Sequence, residues 1–328
     1  MWIAIGLSSS ILIFILLYLT RKNRLLYLPF LIFVVCLSAI CTRIFVFEIY
    51  NIPSNSMENA LFVNNKIIVN KLAYGPKLPM SLEDIPWINV ISKVTRNKKI
   101  DYIRLGGLSK IKRNDIIVFK MPINNKKNLV KRCIGLPGEK ITIQQDSILI
   151  NNHLIEQAST IKNLYNIYWS KNQNQLFKAS VKLGFKIIKK RDRGSLFLQA
   201  NLNGYQKKQL SLIKSTNDSL CLEKRWLPYY QWNKDLAWNG LHIDSLIIPK
   251  KGLKIKWNSR NRMIYLTLIR RFEAINNILL LEKSILKEYT FTKDYYFFLG
   301  DNRFFSEDSR FWGLVPEESI EGKVMKVL

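Results

Sequence analysis

The chain opens on two apolar runs. Trp2 to Thr20 is almost wholly apolar, and as a helix it would reach about 28 Å at 1.5 Å per residue, close to the roughly 30 Å of bilayer hydrocarbon. Leu25 to Phe47 forms a second run, with Pro29 near its start and Arg43 near its end, where a guanidinium can snorkel. Between them Arg21, Lys22, Asn23 and Arg24 make a short basic loop, which the positive-inside rule assigns to the cytoplasm. A cleavable secretory signal starts with a positive region, and Met1-Trp2-Ile3 has none. The pattern therefore predicts a two-span hairpin over residues 1–47 in preference to a signal or to a single span. No later run reaches a spanning length, so the rest of the chain is expected on the extracytoplasmic side.

Beyond Phe47 the pattern changes to short β-rich stretches bounded by Asn, Asp, Gly and Pro. They are Ile67 to Val69, Ile116 to Phe119, Leu129 to Ile134, Ile141 to Ile143, Ile148 to Ile150 and Tyr295 to Leu299. Gln145-Asp146 between Ile141–Gln144 and Ser147–Ile150 predicts a tight hairpin. A mainly β, antiparallel fold follows. Residues 151–289 differ in texture, with Lys-rich and Asn-rich stretches and an aromatic patch holding Trp226, Tyr229, Tyr230, Trp232 and Trp238. They are expected to form an inserted subdomain between core segments 48–150 and 290–328. The aromatics read either as packing of a small β unit or as a binding surface.

Composition alters this little. The net charge of +27, from 51 Lys and Arg against 24 Asp and Glu, by itself suggests nucleic acid or an anionic membrane. The lysines are scattered among Ile and Asn, however, and no zinc finger or RNA-binding signature accompanies them, so no nucleic-acid partner is expected. Cys36, Cys41, Cys133 and Cys221 show no CxxC spacing. That argues against a metal site, and Cys133 and Cys221 are expected as free thiols rather than a bridge. The two histidines, His153 and His242, lie outside every motif considered next.

Three blocks carry candidate chemistry. Ile52-Pro53-Ser54-Asn55-Ser56-Met57 presents two serines just past the second apolar run; a Ser there is either a turn residue or a nucleophile. Val130-Lys131-Arg132-Cys133-Ile134-Gly135-Leu136-Pro137-Gly138-Glu139 puts Lys131 on an apolar strand. Such a Lys is either exposed on an edge or turned inward, where low dielectric lowers its pKa. The third block runs from Leu299 through Gly300-Asp301-Asn302-Arg303, Phe304-Phe305 and Ser306-Glu307-Asp308-Ser309-Arg310-Phe311-Trp312-Gly313 to Val315-Pro316-Glu317. Its density of Asp, Asn, Ser and Arg predicts a loop held by its own ion pairs.

In this order, behind two apolar runs, the three blocks resemble type I signal peptidase. The GDNR and SxDSRxWGxVP patterns at residues 300–316 carry most of the resemblance, with Arg113 and Asp115–Phe119 matching a further block. It covers residues 48–150 and 290–328 well, and the insertion poorly. Asn55 stands where the family usually has Gly, and Asn59-Ala60 where it usually has Pro-Thr.

The resemblance implies a membrane-anchored serine protease of the Ser-Lys type, without a cofactor, in the bacterial cytoplasmic membrane. It would cut signal peptides from exported preproteins after Ala-x-Ala sites. Ser56 takes the place of the nucleophile, Lys131 of its general base, and the Ser54 hydroxyl with the Ser56 N–H of the oxyanion hole. Ser306 takes the place that orients the amine, while Asp301, Arg132, Asp308 and Arg310 hold the loop. Ile52, Pro53, Met57, Leu61, Leu129 and Val130 are expected around shallow substrate pockets. A Ser-Lys pair needs no His base, which suits the positions of His153 and His242. Self-cleaving repressors share the pair, but they are soluble, and the apolar hairpin counts against them. A tethered binding protein without catalysis would have lost one of these residues, and all are present.

Overall fold

A computed structural model describes residues 24–79, 102–122, 127–145, 147–169, 173–192, 195–214, 219–222, 242–273 and 286–328. Within these, the side chains of residues 24–30, 173, 189–192, 195–197 and 220–222 are not described. The first apolar run, residues 21–23 of the basic loop and the aromatic patch at 226–238 lie outside the described residues.

The described part divides into two compact units, one of Met1–Glu48 with Pro76–Leu105, the other of Ile49–Gly75 with Gly106–Leu328. In the first, the second apolar run forms helix α1, Arg24–Phe45. It ends where the apolar period changes from helical to alternating at Phe47-Glu48-Ile49-Tyr50, and strand β1, Phe47–Asn51, begins there and lies mostly in the second unit. Leu31, Ile32, Phe33, Val35 and Leu37 of α1 are 44 to 60% exposed. Among the described residues no helix is long and apolar enough to cross a membrane.

The second unit continues with β2 (Lys66–Asn70), β3 (Ile116–Lys120), β4 (Asn128–Gly135), β5 (Lys140–Gln144), β6 (Ser147–Ile150) and β7 (His153–Leu154). Next come β8 (Lys162–Tyr168), α2 (Gln173–Leu183), β9 (Ile187–Asp192), β10 (Ser195–Asn203), α3 (Gly204–Ile213) and β11 (Ser219–Leu222). Then follow β12 (His242–Ile247), β13 (Lys254–Lys256), α4 (Ser259–Phe272), β14 (Glu288–Thr290) and β15 (Tyr295–Leu299). The short α5 (Ser309–Trp312), β16 (Val315–Pro316) and β17 (Ile320–Val327) complete it. Each stretch expected from its Ile, Val and aromatic content is a strand, and the fold is antiparallel and β-rich.

Seven strands form the main sheet in the order β1-β2-β17-β3-β4-β15-β16. Register places Val324 of β17 opposite Val69 of β2, Lys323 opposite Ile117 of β3, and Ile117 in turn opposite Lys131 of β4. β17 is thus the strand that joins β2 to β3. A second sheet, β12-β5-β6-β7, contains the expected hairpin, with Gln144 opposite Ser147 and Gln145 at φ 57° as its tight turn demands.

The described residues of the stretch 151–289 contribute to two cores. Residues 242–273 pack into the same core as the hairpin: Ile243 and Leu246 of β12 and Ile264, Leu268 and Ile269 of α4 lie with Ile141, Ile148 and Phe297. In α4 the i, i+4, i+5 spacing of Ile264, Leu268 and Ile269 gives one apolar face, and Asn258 caps its start by accepting from Asn261 N–H at 2.8 Å. Full burial of each such side chain contributes about 1.5–3 kcal/mol. Residues 162–222 have a core of their own. There the sheet β11-β8-β10-β9 is covered by α2 and α3 through Leu176 and Leu210, packed on Tyr165, Ile167, Leu198 and Leu202.

Candidate active site

The site begins with the short segment between β1 and β2. Ile52 is clamped on both sides, its N–H donating to the Asn65 carbonyl at 2.9 Å and its carbonyl accepting from Asn64 N–H at 2.9 Å. Ser54 is extended at φ −137°, ψ 160°, and the chain then makes a single 3-10 turn, Asn55–Met57. Met57 and Leu61, each 1% exposed, pin that turn to Ile67, Val69 and Val118. The anchored turn holds Ser56 at 7% exposure. Ser54 Oγ donates to Ser56 Oγ at 3.3 Å.

Lys131 reaches the same point from the main sheet. Its Nζ lies 2.6 Å from Ser56 Oγ, to which it donates, and the residue is 3% exposed. An ammonium stripped of water is costly, and burial is the main reason its pKa falls from 10.5 to about 8. The carboxylates of Asp308 and Glu307 oppose the fall, while Arg310 adds to it. Of the two sequence readings of this residue, the inward-facing one is what the structure shows. Once neutral, the amine can accept the Ser56 proton along the same contact.

The loop after β15 closes the site. Arg132, next to the lysine on β4, makes a two-pronged pair with Asp301 at 2.8 and 2.6 Å, and also donates to the Asn114 carbonyl at 2.9 Å. Asp308 receives the Arg310 guanidinium twice at 2.8 Å, and Gly300 N–H at 3.0 Å. Burial pushes the Asp308 carboxyl up, but the charge and hydrogen bonds of Arg310 and the Gly300 N–H outweigh it and hold the group below its ordinary range. Arg303, buried, donates to the Gly300 carbonyl at 2.6 Å. Mainly through burial, and next through Arg310, its pKa is lowered to about 10, so it stays charged at neutral pH.

Two further residues tie the loop to the turn. Asn302 donates its N–H to the Ser56 carbonyl at 3.0 Å and its Nδ2 to the Asn55 carbonyl at 3.1 Å. Gly300 leaves room for this approach, because a Cβ there would fall 2.1 Å from Ser306 Oγ and 2.7 Å from the Ser56 carbonyl oxygen. Gly300→Ala is therefore expected to cost about 1–3 kcal/mol, the range for forcing a methyl into a filled space. Chemical denaturation measures it, and a variant as stable as the parent would mean that loop and turn yield freely.

The structure thus brings Ser54, Ser56, Lys131, Arg132, Asp301, Ser306, Asp308 and Arg310 into one cluster. Ser306 is wholly buried, with Oγ donating to the Glu307 carbonyl at 3.4 Å. Among the residues expected around pockets, Ile52, Met57 and Leu61 are buried together with Val130 packed against them, Leu129 joins a different cluster with Phe119 and Phe298, and Pro53 is exposed. Cys133 is a buried free thiol. Sequence reasoning singled out neither Gly300 nor Asn302, although both stand inside the quoted GDNR pattern. It also missed Thr160, whose Oγ1 accepts from Arg132 at 3.2 Å and donates to Asp301, and for which no local signal exists.

Comparison with known proteins fits this geometry. The family model for signal peptidase, peptidase S26, matches residues 25–208 and 269–328. A signal peptidase I of Buchnera aphidicola subsp. Baizongia pistaciae is 31% identical over 285 residues, 86% of this chain and 70% of that one. A signal peptidase I of Aquifex aeolicus is 24% identical over 296 residues, 90% of this chain and 81% of that one. A crystal structure of a signal peptidase I from Enterococcus faecalis V583, 20% identical, covers 67% of this chain and 100% of that chain, but its TM-score of 0.26 carries no argument. The match of the family model takes in the serine turn, the lysine strand and the closing loop alike, and the chain belongs to the signal peptidase family, peptidase S26.

Proposed function

We propose that the chain is a membrane-anchored serine endopeptidase that removes signal peptides from exported preproteins, with Ser56 as nucleophile and Lys131 as general base. The 2.6 Å contact between Ser56 Oγ and a lysine amine 3% exposed carries the reading. Neutral Lys131 takes the Ser56 proton as Oγ attacks the scissile carbonyl. The ammonium so formed returns the proton to the leaving amine, and the acyl-enzyme remains. Water, deprotonated by the same amine, then releases the acid.

The Ser54 hydroxyl and Ser56 N–H are the donors for the developing oxyanion. Each is worth about 2.7–4 kcal/mol if aimed as such donors usually are. Ser306 is the candidate for orienting the amine, and Ile52, Pro53, Met57, Leu61, Leu129 and Val130 for shaping the small-residue pockets. The exposed apolar side chains of α1 support anchoring in a bilayer, because a helix apolar around its circumference needs apolar surroundings. With the basic loop on the cytoplasmic side, catalysis would occur on the outer face of a bacterial cytoplasmic membrane.

Purified protein in detergent is expected to cut a preprotein bearing an Ala-x-Ala site after the second Ala. The rate should rise with pH through a midpoint near 8, because the neutral amine is the active form and its pKa is about 8. Absence of cleavage, or a rate that falls as pH climbs from 7 to 9, overturns the mechanism.

A further inference from the structure

Residues 162–222 supply no group that handles a proton in the proposed reaction, yet their sheet is hydrogen-bonded into the loop that closes the site. Lys162, at the start of β8, donates its N–H to the Asp301 carbonyl at 2.8 Å and accepts from Arg303 N–H at 2.9 Å, a parallel bridge around Asn302. Two strands of that sheet meet there, since Lys162 also pairs with Asn203 of β10. From β10, Asn201 Nδ2 donates to Asn302 Oδ1 at 2.9 Å.

The direction of this last bond matters. An amide side chain has a donor end and an acceptor end, which nothing but its partners distinguishes. Asn302 Nδ2 serves the Asn55 carbonyl at 3.1 Å and Glu58 Oε2 at 3.2 Å, so Oδ1 must face away from them. A donor at Asn201 rewards that orientation; with the amide turned over, Oδ1 would confront the Asn55 carbonyl oxygen and the Glu58 carboxylate. Asn201 Oδ1, by contrast, is buried without a hydrogen-bond partner among the described residues. The donor toward Asn302 is what this side chain contributes. A path of single contacts therefore runs from Asn201 to Asn302 to the carbonyls of Asn55 and Ser56.

We propose that Asn201 is a positioning residue for Ser56: acting through Asn302, it fixes the turn that carries the nucleophile, and the sheet β11-β8-β10-β9 is the frame that holds it. The proposal rests on Ser56 being the nucleophile and adds a role for a segment that otherwise has none in the reaction. It predicts an effect on the rate of the chemical step rather than on substrate binding, since no substrate contact is involved.

The test is steady-state cleavage of one Ala-x-Ala preprotein at pH 8 by the wild type, Asn201→Ala, Asn201→Asp, Asn302→Ala and the double variant Asn201→Ala/Asn302→Ala. Asn201→Ala should lower kcat about 10-fold with KM within about twofold, since misplacing reacting groups by about 1 Å costs up to about 100-fold. Asn201→Asp, which keeps the shape and offers no donor, should fall at least as far. In the Asn302→Ala background the Asn201 change should cost less than about twofold, because the path is already cut. Wild-type kcat in both Asn201 variants overturns the proposal, as does an equal loss in both backgrounds. A wild type that does not cleave removes the protease reading itself, whereas an active wild type with unaffected Asn201 variants removes this role alone.

Discussion

Lys131→Met is expected to abolish peptide-bond cleavage and at the same time to stabilise the fold below pH 8. Methionine fills nearly the same space without an amine, so under the proposed mechanism Ser56 loses its proton acceptor. Removing one member of a catalytic nucleophile–base unit typically costs about 10⁴-fold or more in kcat. Ser56→Ala should fall as far, and combining the two should add little, because they act as one unit.

The stability half follows from the same burial. The Lys131 pKa is about 8 when folded against 10.5 ordinarily. Below pH 8 the amine is protonated in both folded and unfolded chains, and the folded chain bears the whole cost of enclosing the charge. At roughly 1.4 kcal/mol per pKa unit that cost is about 3 kcal/mol. Between pH 8 and 10.5 the folded chain sheds its proton first, so the wild type gains stability as pH rises, and above 10.5 the difference disappears. Losing the contact to Ser56 subtracts about 1 kcal/mol from the gain. Urea midpoints should therefore favour Lys131→Met at pH 7 and converge at pH 10; a variant less stable than wild type at pH 7 would contradict the cost assigned to burying the charge.

The second large effect is expected at Asp308. Asp308→Ala removes the carboxylate that receives Arg310 twice and Gly300 N–H once, leaving the Arg310 guanidinium buried beside Arg303. Deleting one partner of a buried pair costs about 3–5 kcal/mol, far more than an exposed ion pair contributes. The sign of the pH dependence is fixed as well. The Asp308 carboxyl is held below its ordinary 3.8 in the folded chain, so its contribution is present above that pH and is lost as the solution is acidified. Wild type and variant should differ most at neutral pH and approach one another in acid. A loss under about 1 kcal/mol at pH 7 would mean that the loop is held by other contacts.

Much of this fold can be read along the chain because its strands are locally marked. Ile116 to Phe119 and Ile141 to Ile143 carry β-branched runs between turn residues, and both are strands. The closing loop stands out for a similar reason, since a dense cluster of Asp, Asn and Arg between strands needs internal pairing, and Arg310 with Asp308 provides it. What remained hidden depends on contacts between distant segments. Thr160 meets Asp301 across 141 positions of chain, and nothing near Thr160 announces it. Residues 242–273 fall in the stretch whose Lys-rich and Asn-rich texture suggests an insertion, while Ile243, Ile264 and Leu268 pack in the core with the β5–β6 hairpin. Asn59, where the resembled family usually has Pro, adopts φ 80° and donates to the Thr160 carbonyl at 3.1 Å. Proline, with φ fixed near −65° and no donor, could do neither.

Strand β17 separates β2, which follows Ser56, from β3, which leads to Lys131. On the ribosome β17 emerges after both, and so does the loop at residues 300–310. Neither half of the main sheet can lie against the other in its final register until that late strand slides between them, its Val324 opposite Val69 and its Lys323 opposite Ile117. The register between the two halves of the sheet is therefore set by the last strand to be made, although the serine turn already meets β3 directly through Met57, Leu61 and Val118.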